Sequence, residues 1–420
     1  MKLLAIVILC LGAVHSQGII GSFINNVFGG GGAKTKDPCT VDPIEGYRQA
    51  QNDFYKNLYA KVAARSDNHF VFSPYTIWLS LAALAEGSDP SIQNDLFAIL
   101  ELPQAKCLRD KFYDIALHVE VPGRDVMLQR KRSLILDENL LVNPAWATLV
   151  RDSGLLDVAF APIRTNPSAT SERLKEFLGT RSNIVLKGNS VLLDALDYQG
   201  LWTTAFADAN IEKAPFYNDL GQQIGTIDMM KMKKRVRLAH VPFMSTKILE
   251  LPVGVQGRYT MLIAVGNGNN IIKNAVDAFL GSIIEIFSAL QMSVVPVEIA
   301  VPRFAMSSEF DVKPALEDVE IRKFWRDPAA TNYISHPAAM PGGLIQRVSI
   351  RLDVGGTERP PSGGEGIFSG LFNIASDTAT SMASAVGHNF IANRPFMYAL
   401  FDTKTHTCLF AGAFSRPNGR

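Results

Sequence analysis

The tripeptide Arg359-Pro360-Pro361 limits this chain more than any other stretch of it. It follows Leu352-Asp353-Val354-Gly355-Gly356-Thr357-Glu358 directly. Proline has no amide proton and a locked φ, so within sheets it is confined to edges, first strand positions and bulges. Neighbouring residues address opposite sides of a strand, so two prolines in succession remove a donor from each side. A fold that needs residues 359–361 in the middle of a sheet therefore meets resistance from the chain itself.

The rest of the composition narrows the class. The 41 Lys and Arg nearly cancel the 40 Asp and Glu, so no global field points to nucleic acid. A hydrophobic content of 47% over 420 residues is that of a globular protein with a large core. Beyond the N-terminus no apolar run is long enough to cross a bilayer. Residues 1–16 read as a secretory signal. Lys2 supplies the charge, Leu3 to Val14 the apolar stretch, and Val14 and Ser16 suit a cut before Gln17. A membrane anchor is the competing reading. The mature chain keeps Cys39, Cys107 and Cys408. An odd count in an oxidising compartment leaves one thiol over or pairs it between chains. Cys408 sits in an apolar run, Thr407-Cys408-Leu409-Phe410-Ala411, which favours a reduced thiol there and a Cys39–Cys107 bridge. Asn166-Pro167-Ser168 is blocked as an N-glycosylation acceptor by its proline.

Residues 17–43 read as an extension with a flexible joint at Gly29 to Gly32. Its Gly18-Ile19-Ile20-Gly21-Ser22-Phe23-Ile24-Asn25 is echoed by Gly366-Ile367-Phe368-Ser369-Gly370-Leu371-Phe372-Asn373. The echo is either chance or a shared apolar docking preference. The globular part opens with a helix, Asp42 as its cap, Pro43 in the first turn and Glu45 completing a capping box. Tyr47, Phe54, Leu58 and Val62 fall on one face. A second helix runs from Ser73-Pro74 to Gly87, and a third from about Ser168 to Leu178, ended by Gly179. Residues 248–253, 259–265 and 294–301 read as strands, and 396–401 with 408–414 as a hairpin. Helices first and strands later argue an α+β domain.

Several short strings then carry a resemblance. They are Asn68-His69-Phe70-Val71-Phe72-Ser73-Pro74, Leu193 to Trp202 with Phe206, Met229-Met230, and Val301-Pro302-Arg303-Phe304 followed by Phe310-Asp311-Val312. Gly356-Thr357-Glu358, Asn393-Arg394-Pro395-Phe396 and Leu409-Phe410-Ala411-Gly412 complete the set. In order and spacing, from about residue 44 to 417, the chain resembles a serpin. The resemblance implies three β-sheets packed with helices and an exposed reactive loop, here about 354–393. In that family a protease cuts the loop. The loop then inserts as a central strand of the largest sheet and the acylated protease is trapped. No catalytic residues are implied, and the protein is expected not to be an enzyme.

The residues that match the family's moving parts depart from its pattern. The hinge is Val354, Gly356, Thr357, Glu358, Arg359, Pro360 and Pro361. Small residues, usually alanines, are expected where Arg359, Pro360 and Pro361 stand. After insertion Arg359 would share the inward parity of Thr357 and carry a charge into the core. The family's glutamate before the threonine is Val354 here, and its basic partner corresponds to Arg303. The sheet-opening region is Ser73, Thr76, Asp194, Trp202, Arg303 and Gln346, with Asp194 in place of an asparagine and Gln346 in place of a histidine. Counting from the two ends of the loop places the scissile bond at Gly370-Leu371 or at Ser384-Ala385. No Lys or Arg lies between Arg359 and Arg394, which disfavours a trypsin-like target. Ile367, Leu371, Ile374, Thr378 and Met382 fall near one helical face, either a partner-binding helix or loosely packed loop.

Lys231, Lys233, Lys234, Arg235 and Arg237 form a basic run that reads either as a patch for sulfated polysaccharide or as a solvated strand-and-turn face, with Arg130-Lys131-Arg132 as a shorter case. No His, Cys or Asp spacing suggests a metal, and no motif suggests a cofactor. The expected function is that of a secreted serpin-like protein that no longer traps proteases. It would work by binding an extracellular partner, as carrier, scaffold or decoy. The competing expectation is a suicide-substrate inhibitor of an extracellular chymotrypsin- or elastase-like serine protease, or of a cysteine protease.

Overall fold

The computed structural model describes residues 37–417 apart from 122–124, 183, 208–209, 242–244, 268–270, 280–282, 320 and 359–388. The signal-like segment, the glycine joint, both apolar strings, the 366–386 stretch and the scissile candidates Gly370, Leu371, Ser384 and Ala385 lie outside the described residues. So do Arg359, Pro360 and Pro361. The chain forms two units, Met1–Asp42 and Pro43–Arg420. In the first, a short 3-10 turn, Pro38–Thr40, is capped by Asp37, whose carboxylate accepts from the Cys39 amide at 2.9 Å.

The second unit carries helices α1 (Ile44–Ala63), α2 (Pro74–Ala85), α3 (Pro90–Ile99), α4 (Lys106–Val119), α5 (Pro144–Asp152), α6 (Pro167–Leu178), α7 (Ile271–Phe279), α8 (Ile283–Ala289), α9 (Lys313–Glu317) and α10 (Arg322–Arg326). Local signals account for several of their ends. Ser73 caps α2, its Oγ accepting from the Thr76 amide at 3.3 Å, with Pro74 in the first turn. Asn166 caps α6, and Gly179 ends it at φ +65°, a left-handed conformation that favours glycine. Tyr47, Phe54, Leu58 and Val62 of α1 are buried, as their spacing predicts. The start of α1 differs from expectation. Pro43, which has no side-chain acceptor, stands at the N-cap instead of Asp42, while Glu45 pairs with Arg48 one turn on. Every residue of α2 is buried, so this helix is covered on all sides and threads the core.

The strands are β1 (Phe70–Phe72), β2 (Val126–Asp137), β3 (Leu141–Val142), β4 (Asp157–Ala161), β5 (Ser190–Thr204), β6 (Ile211–Tyr217), β7 (Gln223–Lys234), β8 (Arg237–Val241) and β9 (Thr246–Val253). They continue as β10 (Tyr259–Gly266), β11 (Gln291–Met292), β12 (Val297–Pro302), β13 (Phe304–Asp311), β14 (Ser335–His336), β15 (Pro341–Glu358), β16 (Asn389–Ile391), β17 (Phe396–Asp402) and β18 (Cys408–Phe414). The strand expected over 294–301 starts later, at Val297, because Val294 and Val295 lie exposed in the turn before it. The hairpin β17–β18 forms with every residue buried.

These strands make three sheets. The largest has 12 strands in the order β1-β18-β17-β10-β9-β5-β15-β13, with β2, β4, β8 and β11 attached beside it. Its two halves meet at one backbone pair, Trp202 with Val253. A second sheet runs β16-β12-β7-β6, and β14 pairs with β3. The long strand β2 was not expected from the sequence. Of its Arg130-Lys131-Arg132, the first two are exposed and Arg132 is buried, and both arginines pair with Glu120. Arg132 and Glu120 thus satisfy each other's charge away from water, with the exposed Arg130 as a second partner of the carboxylate.

Candidate functional site

The centre of the large sheet holds a parallel seam. β5 and β15 run parallel and pair without interruption from Leu344↔Leu192 to Leu352↔Gly200. On either side the pairings are antiparallel, β2 with β5 and β13 with β15. Parallel pairing is somewhat weaker per residue than the antiparallel pairing on either side of it. A strand entering here antiparallel to both neighbours would make the whole region antiparallel.

Side-chain pairs cross the seam. Gln346 and Asp194 are register partners, and Gln346 Nε2 donates to Asp194 Oδ2 at 2.7 Å. Farther along, Arg347 pairs with Asp197 at 2.9 Å. The first pair is fully buried and extends into a network with the start of α2. The Ser73 amide donates to Gln346 Oε1 at 3.0 Å, and Gln346 Nε2 also reaches the Ser73 carbonyl at 2.9 Å. Thr76 Oγ1 donates to Asp194 Oδ2, and Ser73 Oγ donates to the Leu409 carbonyl at 2.5 Å. Four of the residues expected in the sheet-opening region, Ser73, Thr76, Asp194 and Gln346, thus form one cluster. Asp194 and Gln346, read from the sequence as two separate departures, are bonded to each other.

The cluster has an electrostatic cost. Burial pushes the Asp194 carboxyl up to about 6, against the opposing pull of the Thr76 and Gln346 hydrogen bonds and of Arg132 and Arg130. Its Oδ1 has no hydrogen-bond partner among the described residues. Trp202 and Arg303 lie elsewhere. Trp202 is buried at the far end of β5, edge-on to Phe206 at 5.6 Å. Arg303, at the junction of β12 and β13, is engaged rather than stranded, its amide donating to the Asp228 carbonyl at 2.8 Å.

Past Leu352 the seam becomes irregular. Pairing resumes at Gly356↔Trp202 and ends at Glu358↔Thr204, so β15 takes four residues where β5 takes two. Such a bulge bends a strand and often marks a functional edge. Within it the Phe206 amide donates to the Val354 carbonyl at 2.9 Å, and Val354 packs against the core. Thr357 Oγ1 donates to the Thr203 carbonyl at 3.1 Å. Gly356 lies so close to β5 that a Cβ on it would stand 2.2 Å from the Ala205 nitrogen. The hinge therefore sits against β5 as far as Glu358, immediately before Arg359-Pro360-Pro361.

The chain matches the serpin (serine protease inhibitor) family over residues 49–417, most of its length. It is a serpin. Its relatives are distant. An uncharacterized serpin-like protein of Methanosarcina mazei is 22% identical over 91% of this chain and 90% of its own. Iripin-3 of Ixodes ricinus is 20% identical over 89% of this chain and 95% of its own. Among solved structures, uncleaved ovalbumin superposes with a TM-score of 0.73 at 18% identity, covering 88% of this serpin and 99% of ovalbumin. Native protease nexin-1 with heparin gives 0.71 at 18% identity, covering 90% and 100%. At these identities the structures establish the serpin fold and no more.

The basic run of this serpin is mostly neutralised. Lys231 pairs with Glu212, Lys233 with Glu298 at 3.4 Å, and Arg237 with Glu250 at 2.9 Å. Lys234 and Arg235 have no carboxylate partner among the described residues; Lys234 bonds Thr204 Oγ1 at 2.5 Å and Arg235 the Ser293 carbonyl at 2.9 Å. Cys39 and Cys107 are each disulfide-bonded. Cys408 is free and buried, and burial raises its thiol well above the ordinary range. Among the described residues no His, Cys, Asp or Glu group is arranged to hold a metal, and no helix is long and apolar enough to cross a membrane.

Proposed function

We propose that this serpin has lost protease trapping and acts by binding an extracellular partner, as carrier, scaffold or decoy, with no enzymatic turnover of its own. One observation carries the reading. The hinge is paired to β5 up to Glu358, so the next residues to enter the seam are Arg359, Pro360 and Pro361. Each proline leaves a carbonyl of the ladder without its donor, at roughly 1–3 kcal/mol apiece when buried. Arg359, with inward parity, adds the larger cost of an unpaired charge. Trapping is a race against deacylation, so a penalty on the first step of insertion favours release of cleaved product.

Secretion belongs to the same proposal. It is supported by the signal-like N-terminus and by disulfide-bonded Cys39 and Cys107, which suit an oxidising compartment.

Incubation of the purified protein with chymotrypsin and with elastase tests the reading. Clean cleavage without an SDS-stable complex is the expected result. A covalent serpin–protease band at stoichiometric yield would establish the inhibitor instead, the outcome that the weak parallel seam favours.

A further inference from the structure

A cleft of about 160 Å³ lies between the large sheet and the four-stranded sheet, at the end of β5. We propose that it binds a small aromatic anion carrying one ring and one carboxylate or sulfate group. Three features of the cleft point to this ligand, and none depends on whether the hinge inserts.

Its size suits one ring. An apolar cavity of about 150 Å³ accommodates a benzene molecule. Its floor suits one as well, since Trp202, Phe206, Met232 and Leu251 line it and are buried. A ring placed there gains edge or offset contacts with Trp202 and Phe206. Trp202 also supplies an unmet need. Its Nε1 is a buried donor with no acceptor among the described residues, a costly state for a buried polar group. An oxygen of the ligand's anionic group would accept from it.

The wall supplies the charge. Lys234 and Arg235 both line the cleft and are the members of the basic run without a carboxylate partner among the described residues. The one carboxylate on the lining, Glu250, is engaged by Arg237 and by Thr260. The net field at the mouth is therefore positive, and charge-assisted hydrogen bonds from Lys234 and Arg235 select an anion over a neutral ring. Trp202 and Thr204 are also the register partners of Gly356 and Glu358, so an occupant would contact the β5 residues against which the hinge rests.

The test uses the full secreted chain labelled with ¹⁵N and three probes: phenylacetate, benzyl alcohol for the ring alone, and inorganic sulfate for the charge alone. Phenylacetate should bind saturably, with a Kd on the order of 1 mM or tighter for a ligand of this size. It should shift one indole N–H resonance, the one missing from Trp202→Phe. Benzyl alcohol and sulfate should each bind at least tenfold more weakly. The Lys234→Gln/Arg235→Gln variant should lose at least tenfold in phenylacetate affinity while keeping its weak affinity for benzyl alcohol. Arg235 is exposed, so Arg235→Gln alone gives a partial loss without touching the core. Failure to saturate, a shift at another indole, equal binding of benzyl alcohol, or unchanged affinity in both variants would each overturn the proposal.

Discussion

Asp194 concentrates the chemistry of the seam in one carboxyl group. Burial raises it to about 6, from near 3.9 in an unfolded chain. The folded state therefore holds this proton more tightly. The resulting stabilisation is complete below about pH 4 and is lost as pH rises through about 6. At pH 7.5 the folded protein carries the cost of a buried carboxylate, about 3 kcal/mol for a shift of roughly two pH units. Asp194→Asn keeps an oxygen for Thr76 and removes the titration. Its unfolding free energy should exceed that of the wild type at pH 7.5 by about 2–3 kcal/mol, and the gap should close toward pH 4. Denaturant unfolding of both proteins across that range measures it, and a constant gap would show that Asp194 does not titrate as its burial requires. The amide would still face Gln346, so the latch across the seam changes in charge more than in shape.

At the scale of the element, the hinge is the end of β15, and its behaviour follows from what the next residues offer a ladder. Gly356 has to be glycine in the closed sheet because β5 approaches it at Ala205. Beyond Glu358 an opened sheet asks for amide donors on both sides of the entering strand. Replacing Arg359, Pro360 and Pro361 with alanine should restore roughly 5 kcal/mol of pairing to an inserted strand. After loop cleavage, the triple variant should melt about 6 °C above the cleaved wild type, while the two intact proteins melt together. Equal melting of the two cleaved forms would mean that the prolines are not what keeps the hinge out.

The whole molecule decides how its charges act. Five basic residues in seven positions suggest a dense patch, but folding brings Glu212, Glu298 and Glu250 to three of them. Two cations of this run without a carboxylate partner among the described residues predict shallow salt dependence for any polyanion bound there, a slope of log K against log salt of about −2. Heparin titrations at several salt concentrations read that slope directly. A slope near −5 would mean that the ion pairs open on binding.

What the sequence determined by itself was local or carried by strings of residues: the helix start at Ser73-Pro74, the stop at Gly179, the buried hairpin at the C-terminus, and the ordered signatures that marked the family. Those signals lie within a few residues of the structure they specify, so they survive being read in one dimension. The tertiary structure alone decided the rest. Asp194 and Gln346 are 152 residues apart, and only the parallel register of β5 and β15 makes one buried pair of two apparent faults. Arg132 reads as a surface charge until β2 places it beside Glu120, and the cleft at Trp202 exists only where two sheets meet. Burial and partnership are properties of a packed core, and a carboxylate or guanidinium does not disclose from its own neighbours in sequence whether water or another side chain will satisfy it.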